Sequence, residues 1–181
     1  MEWEFVMLQT IQSMRTSWLD QLMVFVTSLG DAGLLWIVLG VVFVCRKRTR
    51  AMGAAVLISL LLGHLVGNGI MKPLIARPRP CHVIPTVELL IQAPTSYSFP
   101  SGHTMSSFEG AVSIFLFNRR WGAAALVAAV LIAFSRMYLF VHFPTDVLVG
   151  FLFGVLHGWL VYKLVAWWRA RKGCLTGDAS K

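Results

Sequence analysis

Long apolar runs alternate with short polar breaks along this chain. Four runs reach or approach the roughly 20 residues that a helix needs to cross a bilayer: 31–45, 51–71, 121–141 and 145–168. A fifth, 102–118, is shorter, holds few charges and closes at Asn118-Arg119-Arg120. The apolar segment WLDQLMVFVTSLG, 18–30, reads either as the end of a first span beginning near residue 10 or as a half-buried interfacial helix. Residues 2–14 are amphipathic and are expected to lie along the membrane surface. The pattern predicts an all-α protein, a polytopic transmembrane bundle of about five to six helices with an N-terminal interfacial helix. It is expected to form one domain over 1–172, followed by a loose tail over 173–181.

Composition sharpens this picture. Of 181 residues, 57% are hydrophobic and 13% charged, with a mean hydropathy of +0.70. A soluble domain carries roughly a quarter charged residues. The net charge of +8 would point a soluble chain toward nucleic acid. Here the basic residues sort by side instead: Arg46 to Arg50, Arg119-Arg120, and Arg169, Arg171 and Lys172 all fall at one end when the spans are counted. That end is expected to be cytoplasmic, and no nucleic-acid partner is expected. No secretory leader is read, because Glu2 and Glu4 stand where a basic n-region would be. Cys45, Cys81 and Cys174 lie far apart and give neither a disulfide framework nor a metal site.

The other end is predicted to hold 72–101 and about 137–145, and three polar stretches fall there. Lys72-Pro73-Leu74-Ile75-Ala76-Arg77-Pro78-Arg79-Pro80 places three cations together, with prolines expected to keep the chain extended. They read either as interfacial side chains snorkelling to water or as a cradle whose guanidinium forks match phosphate oxygens. Pro100-Ser101-Gly102-His103 stands ahead of an apolar helix. Ser101 is a good helix cap, which is one complete explanation. The other is an anion site, with free helix amides, partial positive charge from the dipole, close approach over Gly102, and His103 alongside. In Ser135-Arg136 and His142-Phe143-Pro144-Thr145-Asp146, Arg136 sits near the end of an apolar span, where charge is costly and usually functional. Pro144 suits the first turn of a helix. Asp146 then either merely caps that helix or accepts a hydrogen bond from His142, leaving the other ring nitrogen as a nucleophile. Together these stretches converge on the chemistry of a phosphate.

Lys72, six residues, Arg79-Pro80; then PSGH at 100–103; then Ser135-Arg136, five residues, His142, three residues and Asp146: this arrangement resembles the three-part signature of the type-2 phosphatidic acid phosphatase superfamily. That superfamily includes bacterial membrane lipid phosphatases, glucose-6-phosphatase and the vanadium-dependent haloperoxidases. The match covers 72–146, while 1–60 is similar only as apolar helices in the right order. The resemblance implies that Lys72, Arg79 and Arg136 bind phosphate oxygens and that Ser101 and the Gly102 amide complete the cradle. It implies that His142 forms a phosphohistidine, with Asp146 orienting it, and that His103 protonates the leaving oxygen and later activates water. It implies no cofactor and no metal. The expected substrate is a lipid phosphate or diphosphate within the membrane, undecaprenyl diphosphate first, with phosphatidylglycerophosphate or phosphatidate as alternatives. The expected location is the bacterial plasma membrane with the site facing outward. A small transporter or anion channel would also use intramembrane Arg and His, but has no need of a His-x3-Asp pair beside PSGH. Arg77 is expected as a further substrate contact, and the apolar residues within 82–99 as the border of a lipid entrance. His64, Asn68, Glu109 and His157 lie within apolar helices, where either function or helix-to-helix hydrogen bonding places such groups. Oligomeric state is not legible from the sequence.

Overall fold

The computed structural model describes residues 2–175. It is all-α: α1 (Glu2–Gln12), α2 (Ser17–Ser28), α3 (Leu34–Cys45), α4 (Arg50–Gly63), α5 (Lys72–Ile75), α6 (Pro80–Val83), α7 (Gly102–Phe117), α8 (Arg119–Tyr138) and α9 (Pro144–Leu175). A π-helical stretch, His64–Met71, joins α4 to α5. Three stretches are long and apolar enough to cross a membrane: Arg50–Val83, Arg119–Tyr138 and Pro144–Arg171. The pair Ser17–Ser28 and Asp31–Cys45 adds a fourth if it forms one span bent by 42°. The protein is therefore a polytopic membrane bundle.

Several boundaries differ from the sequence reading for identifiable reasons. Residues 10–30 do not form one span. α1 ends at Gln12, and α2 breaks from α3 at Ala32 and Gly33, both left-handed with φ +50° and +68°. The Lys72 stretch is not extended throughout: the helix runs on to Ile75, because a proline is tolerated in a first turn, and stops where Ala76 turns left-handed at φ +47°. The tail expected from 173 is still helical through Leu175, and the remainder of it lies outside the described residues.

α7 is the central helix. Ser101 caps it, accepting from the Thr104 amide (3.4 Å), and it packs against α4, α8 and α9. One core, which includes Trp36, Phe108, Ile114 and Ile132, fills the space between α3, α4, α7 and α8. A second, with Leu8, Met23, Tyr138 and Phe143, lies under α1 and the loop carrying Val87, Leu89, Leu90 and Ile91. That apolar run thus packs down onto the bundle. α1 lies across the ends of α8 and α9 and is pinned by Gln12 Nε2 donating to the Tyr138 carbonyl (2.6 Å). The two turns carrying Arg46 to Arg50 and Arg119-Arg120 are neighbours, since Phe43 stacks on Trp121 with ring centroids 5.6 Å apart.

α7 and α9 approach each other closely. Gly150, Gly154 and Gly158 recur every four residues on α9, the spacing that lets membrane helices approach closely. A Cβ on Gly150 would lie 2.7 Å from the Ser101 carbonyl oxygen, and one on Gly154 would lie 2.7 Å from that of Met105. These neighbours are backbone and cannot step aside without moving a helix. Gly154→Ala should therefore destabilise the protein by about 1–3 kcal/mol through overpacking, measured as a lower unfolding temperature in detergent. An unchanged transition would contradict this packing.

Candidate active site

Three elements converge at one end of the bundle. α7 begins at Gly102, α9 begins at Pro144, and the Ser101 amide donates to the Asp146 carbonyl (3.0 Å). That hydrogen bond ties the PSGH stretch directly to the His142–Asp146 stretch. Between α8 and α9 the chain reverses through Phe140 at φ +57°, a left-handed conformation that costs a non-glycine residue roughly 1–2 kcal/mol. The turn presents both the Val141 carbonyl and the His142 ring to Arg79.

Arg79 is buried and spends its donors on this junction. Nη1 donates to the Val141 carbonyl (2.8 Å) and lies 3.0 Å from His142 Nε2; Nε donates to the Ser96 carbonyl (2.7 Å). A guanidinium can only donate, so Nε2 of His142 must be the accepting, unprotonated nitrogen. The proton then sits on Nδ1, which faces Ser98 Oγ at 3.4 Å and Asp146 Oδ2 at 3.6 Å. Ser98 in turn donates to Asp146 Oδ2, which also accepts from the Phe143 amide (2.9 Å). Asp146 thus orients the imidazole jointly with Ser98, and the lone pair points away from the carboxylate. Burial pushes the His142 imidazole down to about 3, reinforced by the charges of Arg79 and Arg136 and opposed by Asp146. The ring is neutral at physiological pH, as a nucleophile must be.

Arg136 approaches from α8, where Nη1 donates to Thr27 Oγ1 of α2. Its Nε is buried without an acceptor in the protein, an arrangement that costs about 1–3 kcal/mol and is uncommon in folded proteins. Lys72 reaches in from α5, and a Cβ on Gly102 would stand 3.9 Å from its Nζ. His103 Nε2 is 2.9 Å from Asp31 Oδ1, on the bend between α2 and α3. Lys72, Arg79, Gly102, His103, Arg136 and His142 all line one cavity of about 1050 Å³. Ser101 and Asp146 are buried behind that lining. Ser101 Oγ is engaged with Thr104, accepting from both its amide and its hydroxyl (2.9 Å).

One expectation needs revision. Arg77 faces away from the cavity. Its Nη1 donates to Asp146 Oδ1 (2.6 Å) and Thr145 Oγ1 (2.7 Å), its Nη2 to Glu4 Oε2 (2.6 Å), and its guanidinium lies 4.0 Å over the Phe143 ring. It is a half-buried strut, not a substrate contact. Glu109 and His157 form a pair at 2.7 Å between α7 and α9, which ties two helices together. Sequence reasoning missed Asp31, Ser98 and Thr27. Each acts through a partner at least 44 residues away along the chain, and only the break at Asp31-Ala32-Gly33 gave any local signal. Among the described residues, no group of three or more His, Cys, Asp or Glu could hold a metal ion.

Membrane helices gathered round a cationic cavity, with a neutral histidine held by an arginine and a carboxylate, define the class: an integral membrane protein with a cationic cavity at one end of its bundle. Residues 48–170 match the family model of the PAP2 superfamily, and the chain belongs to that superfamily, the type-2 phosphatidic acid phosphatases. It is similar to the undecaprenyl-diphosphatase of Sulfolobus acidocaldarius, 36% identical over 137 residues, covering 75% of this chain and 66% of that one. It is also similar to phosphatidylglycerophosphatase B of Bacillus subtilis, 33% identical over 159 residues, covering 81% and 75%. The chain spans about two thirds of the length of the Sulfolobus relative. Among solved structures it resembles the transmembrane PAP2 type phosphatidylglycerolphosphate phosphatase of B. subtilis, with a TM-score of 0.74 and 28% identity over 90% of this chain and 84% of that one. LpxE of Aquifex aeolicus gives a TM-score of 0.75 and 28% identity over 88% and 94%.

Proposed function

We propose that this protein is a membrane lipid phosphatase that removes a terminal phosphate through a phosphohistidine, with undecaprenyl diphosphate as the preferred substrate. The observation that carries the reading is the hydrogen bond between Arg79 Nη1 and His142 Nε2, because it makes Nε2 the unprotonated ring nitrogen, whose lone pair becomes available when a phosphate oxygen takes over the Arg79 donor. When a phosphate enters, its oxygens take up donors from Arg79, Lys72 and Arg136, together with amides at the start of α7 in the cap that Ser101 and Gly102 form. Nε2 attacks phosphorus, and the bond from phosphorus to the bridging oxygen breaks. His103 gives that oxygen a proton, with Asp31 holding its ring. Water, deprotonated by His103, then attacks the phosphohistidine, releasing phosphate and restoring the Nε2 lone pair. The protein's contribution is chiefly electrostatic stabilisation of the charge on the five-coordinate phosphorus. Proton transfer by His103 adds typically 10²–10⁴-fold. No step requires a metal.

Two observations favour a lipid. The cavity wall includes Ile37, Leu57, Leu60 and Leu61. Ile37 and Leu61 are also among the large apolar side chains exposed on the helix surface, so the cavity borders the perimeter that lipid tails occupy. The name of the Sulfolobus relative favours a polyprenyl diphosphate, and that of the Bacillus relative a phosphatidylglycerophosphate. The cavity lies at the end of the bundle opposite the basic turns, the extracytoplasmic end by the positive-inside rule and the face on which a bacterial plasma-membrane protein would recycle a carrier lipid.

Purified protein should release phosphate from lipid phosphates, and His142→Ala should lose that activity while keeping its unfolding transition. His103→Ala should slow a poor alkoxide leaving group by about 10²-fold or more and a nitrophenolate far less. Turnover by a folded His142→Ala protein would contradict the mechanism. For orientation, in a background freed of Cys45, Cys81 and Cys174, Thr95→Cys should react with an impermeant thiol reagent in intact cells, and Thr49→Cys only after lysis. The reverse pattern would place the cavity on the cytoplasmic face.

A further inference from the structure

The wall formed by α4 and the π-helical stretch after it changes character along its length. Leu57, Leu60 and Leu61 line the cavity first, then His64, then Asn68, then Lys72. Asn68 Nδ2 lies 3.0 Å from His64 Nδ1, and Asn68 Oδ1 stands 4.0 Å from where a Cβ on Gly102 would be. Two polar side chains therefore separate the cationic cradle from the leucine wall. They adjoin Gly102, and hence the neighbour of His103. A second opening shares His64, Asn68, Lys72 and Ser96 with the main cavity. Nothing in the catalytic scheme uses His64 or Asn68, and both are exposed. The π-helical winding from His64 to Met71 is a departure from α geometry that is often found at functional sites. The close packing of Gly63 against Glu109 and Gly67 against Met105 seats this stretch on α7.

We infer that His64 and Asn68 form a second phosphate subsite, which holds the proximal phosphate of a diphosphate lipid while the terminal phosphate occupies the cradle of Lys72, Arg79 and Arg136. The inference rests on the phosphatase reading above and deepens it. The order of the wall matches the order of such a substrate: a terminal phosphate beside Lys72, a second phosphate beside Asn68 and His64, and an apolar tail along Leu61, Leu60 and Leu57. The Asn68 amide and the second ring nitrogen of His64 can serve as hydrogen-bond donors without adding a lysine or arginine. These suit a phosphate that must depart once the bridging bond is broken, whereas a further fixed cation would retain it. A lipid monophosphate has only an alcohol carbon at this position and gains little from either group. His64 and Asn68 therefore set the preference for diphosphate over monophosphate.

The test uses the full-length protein in detergent with two probes that share one tail, farnesyl diphosphate and farnesyl monophosphate, and reads kcat/KM by phosphate release. His64→Ala and Asn68→Ala should each lower kcat/KM for the diphosphate by about 10–100-fold, the range expected for a lost hydrogen bond to a charged group. The monophosphate value should stay within about twofold. Asn68→Asp, which keeps the side-chain shape but turns a carboxylate toward the proximal phosphate, should depress the diphosphate further still. Equal losses on both probes, or no loss on either, would overturn the subsite. A wild-type protein that hydrolyses neither probe nor any other lipid phosphate would overturn the phosphatase reading itself, and the subsite with it.

Discussion

The bare backbone contact between α7 and α9 governs everything at this site. Gly150, Gly154 and Gly158 remove the side chains that would hold the two helices apart, and the helices close until the Ser101 amide reaches the Asp146 carbonyl. In a bilayer the lipid tails are as apolar as leucine, so close packing takes over the work that water exclusion does in soluble proteins. The consequence is chemical as well as mechanical. His103, on the first turn of α7, and His142, just before α9, share one cavity because two helix starts are locked together. A looser contact would leave both motifs intact in sequence and apart in space.

Charge at this end of the bundle is divided with equal economy. Arg77 and Arg79 are separated only by Pro78, yet they serve opposite ends. Glu4 and Asp146 neutralise Arg77 in a dry setting, where removing one partner of such a pair typically costs about 3–5 kcal/mol. That network anchors α1 and holds the back of Asp146. Arg79 instead meets only neutral acceptors: three backbone carbonyls, one serine hydroxyl and an imidazole. Its positive charge, without a direct ion pair among the described residues, stands beside those of Lys72 and Arg136. Three cations close together repel one another, and an oxyanion relieves that repulsion. Burial keeps His142 neutral, and the same field reinforces it.

The sequence made the three motifs legible because each places polar residues where an apolar chain has no other use for them. The fold class was legible from the lengths of the apolar runs. Other features could not be read because they depend on distant partners. Arg77 and Arg79 look alike in an extended proline-rich stretch, and only Glu4, on the first helix, tells them apart. Ser98 sits in a loop rich in hydroxyls, and its place between His142 and Asp146 comes from the folding of that loop back onto α9. Asp31 marks a helix break in sequence, and its contact with His103 exists only because that break packs against α7. The glycine spacing on α9 was present in the sequence and is the clearest signal left unread.

The central claim is that Nε2 of His142 is the nucleophile, kept unprotonated by the Arg79 donor on one side and by Asp146 with Ser98 holding the proton on Nδ1 on the other. Rapid acid-free quenching of the enzyme with a substrate labelled in its terminal phosphate tests this most directly, followed by mapping of the labelled position. A phosphoenzyme that is stable in alkali, labile in acid and located on Nε2 of His142 is the predicted result. A protein that turns over substrate while carrying the label on another residue, or carrying none under conditions that slow the second step, would contradict it.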